Sequence, residues 1–377
     1  MDELSATITE RRRQTRNSIY RCIYDECAPI SKQELSLKLS LSLPTVHQNI
    51  TELLNAGLIQ PGRMLQSTGG RPAQGYVIVE DARFSVGISI TNNRFRLLAA
   101  DLRLREITYK KIKHEDFRSI ADMGKALAEE LEIFLDENKL DRDLLLGVGV
   151  AVPAVIDNMR EEIIMSPNLR MNNVSYRQLL EPIAYDTYIE NDATSGGFAE
   201  SFSHPEIKNM AYLSIEDGVG GAIMIDGARY VGANHRSGEF GHMCVEPNGR
   251  VCQCGKTGCL ETYCSAARIT KELGIAPEEF FEGIDGGNES YKALWGNMLS
   301  YLAIGINNVR MALDCDVVLG GFLTQYMEPY MAEIRRLSLA CSTFDSDAEF
   351  VRLCCHPRRA VTLGVALHFV RRFIDNI

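Results

Sequence analysis

Three cysteines within eight residues, Cys252-Gln-Cys254-Gly255-Lys-Thr-Gly258-Cys259, follow His242 by ten positions, and no other feature limits the fold so tightly. Three thiols and one imidazole are the donor set of a closed, tetrahedral Cys3His zinc site. The two glycines allow a backbone tight enough to turn three sulfurs toward one ion. Such a set leaves no open coordination position, so the reading is a structural zinc, not a catalytic one. The alternative, ordinary buried cysteines, does not explain the interleaved glycines. The rest of the eleven cysteines are scattered, mostly through apolar or helical stretches. Their odd number and uneven spread argue against a disulfide framework, and clustered thiols in a reducing compartment are metal ligands first.

A chain of 377 residues, 45% hydrophobic and 24% charged, has the balance of a soluble protein with two or three domains. No apolar run approaches the length of a membrane span. The start, Met1-Asp2-Glu3 followed by Arg11, Arg12 and Arg13, lacks the apolar segment of a signal peptide. A cytoplasmic protein is expected. The net charge of −10 is unevenly distributed: residues 1–80 hold nine Lys/Arg against eight Asp/Glu, and residues 81–377 hold 31 against 42. Phosphates repel the acidic bulk, so any contact with nucleic acid falls to the N-terminal module.

That module, residues 1–80, has its own grammar. Ile19, Cys22, Ile23 and Cys27 form an apolar stripe on a first helix over 14–28. Ser31 and Glu34 make a capping box for a second helix ending near Leu39. Ser42 caps a third, through Ala56, with Val46, Ile50, Leu53 and Leu54 on one face and Gly57 as its stop. Two strands follow, Leu58–Met64 and Gly75–Val79, around a tip containing Thr68, Gly69, Gly70, Arg71 and Pro72. Three helices and a hairpin in this order read as a winged helix-turn-helix. Its recognition helix presents Ser42, Pro44, Thr45, His47 and Gln48 to base edges or phosphates. Arg71 at the wing tip suits a narrow, A·T-rich minor groove.

From residue 81 the pattern becomes α/β. Strands are expected at Phe84–Ile90, Arg94–Asp101, Ile107–Ile112 and Leu144–Val152, with a helix at Ile120–Glu137. The same order recurs with strands at Met210–Ile215, Ala222–Ile225, Arg229–Val231 and Val317–Leu319 and a helix at Tyr291–Leu313. Two such halves around a cleft make an actin-like (hexokinase/RNase H-like) architecture, in which ligands bind beyond strand ends. The lobes are expected at about 81–190 plus a C-terminal segment, and about 191–310.

Several motifs together carry a family resemblance: Gly238-Glu239-Phe240-Gly241-His242, the cysteine run ending in Glu261, and Glu190-Asn191-Asp192-Ala193. Ser166-Pro167-Asn168-Leu169, Gly218-Val-Gly220-Gly221 and Val318-Leu-Gly320-Gly321 extend it along the chain. The chain resembles the ROK family of repressors, open reading frames and kinases. The winged helix points to the repressor branch, which holds sugar repressors of the xylose and N-acetylglucosamine type. The resemblance implies that Asn168, Asn191, Asp192, Glu239, His242 and Glu261 hydrogen-bond sugar hydroxyls. Carboxylates accept from hydroxyls and Asn both donates and accepts, which suits a polyol. His242 would then serve zinc with one ring nitrogen and a sugar hydroxyl with the other.

The chain departs from the family's kinases where ATP phosphates are held. Their Asp-x-Gly-Gly-Thr loop corresponds here to Ser89-Ile90-Thr91-Asn92-Asn93, without the Asp or the glycines. Phosphoryl transfer needs backbone amides and metal placed against the phosphates. The second phosphate loop reads Ile215-Glu216-Asp217-Gly218, with acidic side chains that repel triphosphate. The family's Pro-Gly beside the sugar is Pro153-Ala154, whose added methyl is expected either to narrow the pocket or to change the preferred sugar. The expectation is a repressor that binds double-stranded operator DNA as a homodimer or homotetramer and responds to a sugar, with no catalytic residue assigned. The alternatives are an ATP-dependent sugar kinase and a regulator whose vestigial pocket has given way to a protein partner.

Overall fold

The structure, a computed structural model, describes residues 2–26, 28–65, 72–114 and 117–377. α1 (Asp2–Asp25) buries Ile19, Tyr20, Ile23 and Tyr24 at helical spacing. It begins well before residue 14, because its largely polar first turns carry no apolar stripe to read. Cys27, expected on this helix, lies outside the described residues. After β1 (Ile30–Ser31), α2 (Lys32–Leu39) starts on the capping box. The Ser31 hydroxyl accepts from the Glu34 amide at 3.2 Å, and the Glu34 carboxylate accepts from the Ser31 amide at 2.8 Å. α3 (Leu43–Asn55) is capped by Ser42 and buries Val46, Ile50 and Leu53. It stops before Gly57, at φ +66°. β2 (Ile59–Leu65) and β3 (Ala73–Ile78) pair antiparallel, with β1 on the other side of β3. The wing tip, 66–71, with Thr68, Gly69, Gly70 and Arg71, lies outside the described residues.

The rest of the chain repeats one plan. β4 (Phe84–Thr91), β5 (Arg94–Asp101) and β6 (Glu106–Lys113) form an antiparallel meander; α4 (Ile120–Glu137) crosses over to β7 (Leu145–Val152), parallel to β4. A small sheet of β8 (Val155–Asp157), β9 (Glu162–Ser166) and β10 (Met171–Ser175), then α5 (Arg177–Leu180), precedes β11 (Thr187–Asn191), parallel to β7. α6 (Asp192–Ser203) leads to the second meander, β12 (Met210–Ile215), β13 (Val219–Ile225) and β14 (Ala228–Tyr230). α7 (Glu261–Cys264), α8 (Ala267–Thr270), α9 (Pro277–Asp285) and the long α10 (Glu289–Leu313) make the crossover to β15 (Asp316–Gly320), parallel to β12. α11 (Met331–Cys341) then leads to β16 (Val351–Leu353), parallel to β15. The sheet orders β11-β7-β4-β5-β6 and β14-β13-β12-β15-β16 are the same arrangement twice.

The second sheet runs to Leu353, so the lobe boundary expected near 310 falls too early: β15 and β16 hydrogen-bond into the second lobe. Only α12 (Ala360–Ile374) returns to the first lobe, where it packs on β4, β7 and α6. The approach is close enough that a Cβ at Gly87 would lie 1.8 Å from the Thr362 carbonyl oxygen. α12 also reaches the N-terminal module. The Phe373 ring meets Tyr20 edge-on with centroids 6.5 Å apart, and Arg21 pairs with Asp375 at 3.2 Å. Ile19, Tyr20 and Ile23 therefore share one apolar cluster with Leu363, Leu367 and Val370. No helix among the described residues is long and apolar enough to cross a membrane.

Candidate functional site

The cysteine run folds into a knuckle. Isolated bridges pair Cys244 with Cys259 and Val251 with Thr257. Gly258 makes the turn at φ +79°, where an added Cβ would lie 1.9 Å from the Glu246 carbonyl oxygen. A single 3-10 turn, Phe240–His242, sets the imidazole opposite. The donor atoms of His242, Cys252, Cys254 and Cys259 all lie within 4.8 Å of one another. Cys254 Sγ and Cys259 Sγ are 3.7 Å apart, and Cys252 Sγ is 3.8 Å from His242 Nδ1. A tetrahedral ion with metal–sulfur bonds of about 2.3 Å spaces its sulfurs about 3.8 Å apart, so this cluster can hold a metal. Burial and the Glu261 carboxylate push the Cys252 thiol well above its ordinary range, an environment that a dication reverses.

Beside the knuckle, between the lobes, lies a cleft of about 1080 Å³. All six residues expected to meet a sugar line it: Asn168, Asn191, Asp192, Glu239, His242 and Glu261. Asn191 caps α6, its Oδ1 accepting from the Thr194 amide at 2.9 Å while its Nδ2 donates to the Ala154 carbonyl at 3.0 Å. Its amide is thus largely spent on fixing the loop, and Asp192, next on the helix, is the freer acceptor. Burial pushes the Asp192 carboxyl up to about 6, and the Glu239 charge adds to this. His242 turns Nδ1 to the cysteines and Nε2 toward Glu239 Oε2, 3.9 Å away. Glu261 is buried, accepts from the Cys252 thiol at 2.8 Å, and lies 3.6 Å from His242 Nδ1. It therefore joins the metal cluster to the cleft. Asn168, after β9, is exposed on the opposite wall.

The other end of the same cleft is lined by Ser89, Thr91, Asn92 and Asn93 from the first lobe and by Glu216 and Asp217 from the second. Glu216 Oε1 accepts from the Phe322 amide at 3.0 Å, and burial pushes its carboxyl up to about 7. Arg94, Arg96 and Lys111 also line this end. Sequence reasoning passed over them because alternate basic residues on a meander read as a solvated face.

In the N-terminal module Ser42, Pro44, His47 and Gln48 are exposed and Thr45 is half-buried. The Ser42 hydroxyl is engaged in the cap and with Thr45 Oγ1 at 2.8 Å. His47 Nδ1 meets the Lys32 ammonium at 2.7 Å, and Gln48 donates to Glu52 at 3.1 Å. Leu43 opens the helix 48% exposed, an apolar side chain on the surface that the polar pattern did not single out.

Comparison with known proteins matches residues 86–352 to the model of the ROK family and residues 12–60 to a winged helix-turn-helix DNA-binding model. The chain is 28% identical over 300 residues to the xylose repressor of Bacillus subtilis strain 168, 78% of each protein. It is 26% identical over 264 residues to the N-acetylglucosamine repressor of Escherichia coli O157:H7, covering 68% of this chain and 63% of that protein. Its fold superposes with a TM-score of 0.77, at 20% identity and over 97% of each chain, on a crystal structure described as a ROK family transcriptional regulator, homolog of the E. coli MLC protein.

Proposed function

The chain belongs to the ROK family, and from that premise we propose that it is a transcriptional repressor that binds operator DNA and senses a sugar or sugar derivative without phosphorylating it. The observation that carries the reading is the joining of a winged helix to a cleft lined by Asp192, Glu239 and Glu261, through one shared apolar cluster. The repressors of xylose and of N-acetylglucosamine among its relatives support it. In the DNA-bound complex Ser42, Pro44, Thr45, His47, Gln48 and Arg71 make the contacts. His242, Cys252, Cys254 and Cys259 hold a structural zinc, which contributes fold stability and fixes the tautomer of His242. The functional unit is a homodimer or homotetramer, because a two-fold repressor matches a palindromic operator.

A kinase role is disfavoured by the loop after β4. Ser89 stands where the family's kinases have Asp, and Thr91 and Asn92, which stand where they have glycines and line the cleft, deny the close backbone approach that glycine gives to phosphate. Across the cleft, Asp217 lines the wall as a further acidic group, joined by Glu216 as that buried carboxyl ionises around pH 7, which disfavours a triphosphate there. Asp192 alone does not compensate, since base catalysis contributes about 10²- to 10⁴-fold.

The test is linkage. A sugar that changes operator affinity must have its own affinity changed by operator DNA by the same factor, typically about 5- to 150-fold. Titrating sugars into free and operator-bound protein measures this. Asp192→Ala or Glu239→Ala should abolish the sugar response and leave sugar-free operator binding within a few-fold. Turnover of ATP with a bound sugar would refute the reading in favour of a kinase. A response to a protein partner with no sugar bound at millimolar concentration would refute it in favour of a vestigial pocket.

A further inference from the structure

We propose that Glu200, His204 and Cys355 form a second metal site, apart from the cysteine knuckle, that takes a zinc-like divalent cation on three protein donors and one water. One donor atom of each lies within 4.8 Å of those of the other two. Two segments supply them. Glu200 lies in the last turn of α6 and His204 is the residue that ends it, while Cys355 belongs to the loop from β16 to α12. Residues four apart share one face of a helix, and the His204 amide still donates to the Glu200 carbonyl at 3.0 Å. Both side chains are thus presented to the loop that carries the thiol.

Glu200 fixes that loop in place. It is fully buried, and its two carboxylate oxygens accept from the amides of Cys355 at 2.9 Å and His356 at 3.0 Å. Among the described residues no Lys, Arg or His nitrogen lies within the 4.0 Å of an ion pair with it. Buried carboxylates are ordinarily paired with a cation or bound to a metal. Each oxygen keeps a second lone pair after accepting one amide, so the loop contact and an ion are compatible.

The imidazole is oriented as a ligand. His204 Nδ1 meets Glu206 Oε1 at 3.1 Å, and Nε2 lies 3.1 Å from Cys355 Sγ. A carboxylate on one ring nitrogen holds the proton there and leaves the other nitrogen's lone pair for a metal. A tetrahedral zinc with bonds of about 2.3 Å to sulfur and 2.0–2.1 Å to nitrogen spaces that pair about 3.6 Å apart, so the thiol must swing out by about half an ångström. Cys355 is exposed and His204 half-buried, so the swing is free and an ion and its water can enter. The cation takes the place of the thiol proton, which passes to solvent. Thiolate, imidazole and carboxylate together suit zinc and not calcium or magnesium. α6 packs on the second sheet and on α12, so the bound ion ties the end of α6 to the strand-to-helix loop that joins the lobes.

The test uses full-length protein with its knuckle metal in place. After equilibrium dialysis against low-micromolar zinc, elemental analysis should find about two zinc ions per chain in the natural protein and about one in Cys355→Ser and His204→Gln. Glu206→Gln keeps every ligand and alters only the exposed carboxylate behind the ring, so it should weaken the second zinc by about 10- to 100-fold and spare the first. Melting temperatures without added metal check that the variants fold. Cobalt(II) added in place of the second zinc should show the charge-transfer band of a thiolate ligand, absent from Cys355→Ser. Zinc should also shield Cys355 from alkylation, read by peptide mass, but not Cys341, which is exposed and in no such cluster among the described residues. A second zinc that persists in both Cys355→Ser and His204→Gln, or a natural protein that takes up only the knuckle zinc, overturns the proposal. Either result leaves the knuckle and the sugar reading as they stand.

Discussion

Replacing Glu216 by glutamine should make the protein more stable at neutral and alkaline pH and leave it nearly unchanged near pH 4. Burial raises this carboxyl from 4.5 to about 7 in the folded protein, so the folded state prefers the protonated form more strongly than the unfolded chain does. The associated stability is fully present below pH 4.5 and is lost as pH rises through 7. At about 1.4 kcal/mol per pH unit, the loss totals about 3 kcal/mol, of which about 2 kcal/mol falls between pH 5.5 and 8. Glutamine keeps an oxygen to accept the Phe322 amide and has no charge to bury. Trp295, the single tryptophan, lies in the core of the same lobe, so its fluorescence reports urea unfolding of the unit that holds Glu216. The raised Asp192 carboxyl acts in the same direction and remains in both proteins, so only the difference between their pH profiles belongs to Glu216. A variant no more stable than the natural protein at pH 8, or a difference that does not change with pH, would refute the reasoning.

Cys254→Ser should reduce bound zinc from about one per chain to a small fraction by elemental analysis and remove metal-linked stability on the order of 10 kcal/mol. His47→Ala and Gln48→Ala should change which operator bases are preferred, at a cost of about 1–3 kcal/mol on the best site, measured by competition among operator variants. Phe373→Ala removes a half-buried ring from Tyr20, so it should cost about 1–2 kcal/mol, less than the 3–5 typical of a core phenylalanine. It should also shrink the effect of sugar on operator affinity in the linkage titration.

Much of this was legible because local signals agreed with each other. The Ser31–Glu34 box and the Ser42 cap fix helix starts with a few atoms, and those atoms are present in the sequence. The meander and crossover repeat because each lobe has central strands that are near-continuous apolar runs buried on both faces. Motif residues 168 to 261, dispersed along the chain, meet in one cleft because they sit at strand ends and helix starts. Other features required tertiary information. Arg94, Arg96 and Lys111 belong to strands whose outer face is polar, and only the return of α12 makes that face the wall of a cleft. Glu216 reads as a surface acid until the Phe322 turn covers it. The placement of β15 and β16 in the second sheet depends on pairing over long sequence separations, which periodicity does not encode.

α12 is the element on which the two halves of the proposed function converge. Ala360 and Val361 line the cleft at one end, and Phe373 and Asp375 meet α1 at the other. At 1.5 Å per residue the helix is about 22 Å long. It is wedged: a Cβ at Gly149 would lie 2.3 Å from the Val365 carbonyl oxygen, and one at Gly364 would lie 1.8 Å from that of Ser195. Ser195 of α6 also donates to the Val361 carbonyl at 2.7 Å, and α6 begins at Asp192. A sugar bound at Asp192, as proposed, would therefore act on the helix that grips α12. Close packing leaves such a helix little room to bend, so any displacement would carry it as a rod. A tilt of about 5° at the cleft displaces the far end by about 2 Å, the scale of helix shifts that switch other proteins. The Arg21–Asp375 pair is solvated and contributes little to that transmission. The apolar contact of Tyr20 with Phe373 is the joint that a tilt must repack, which is why the stability of that joint and the coupling between sugar and DNA should change together.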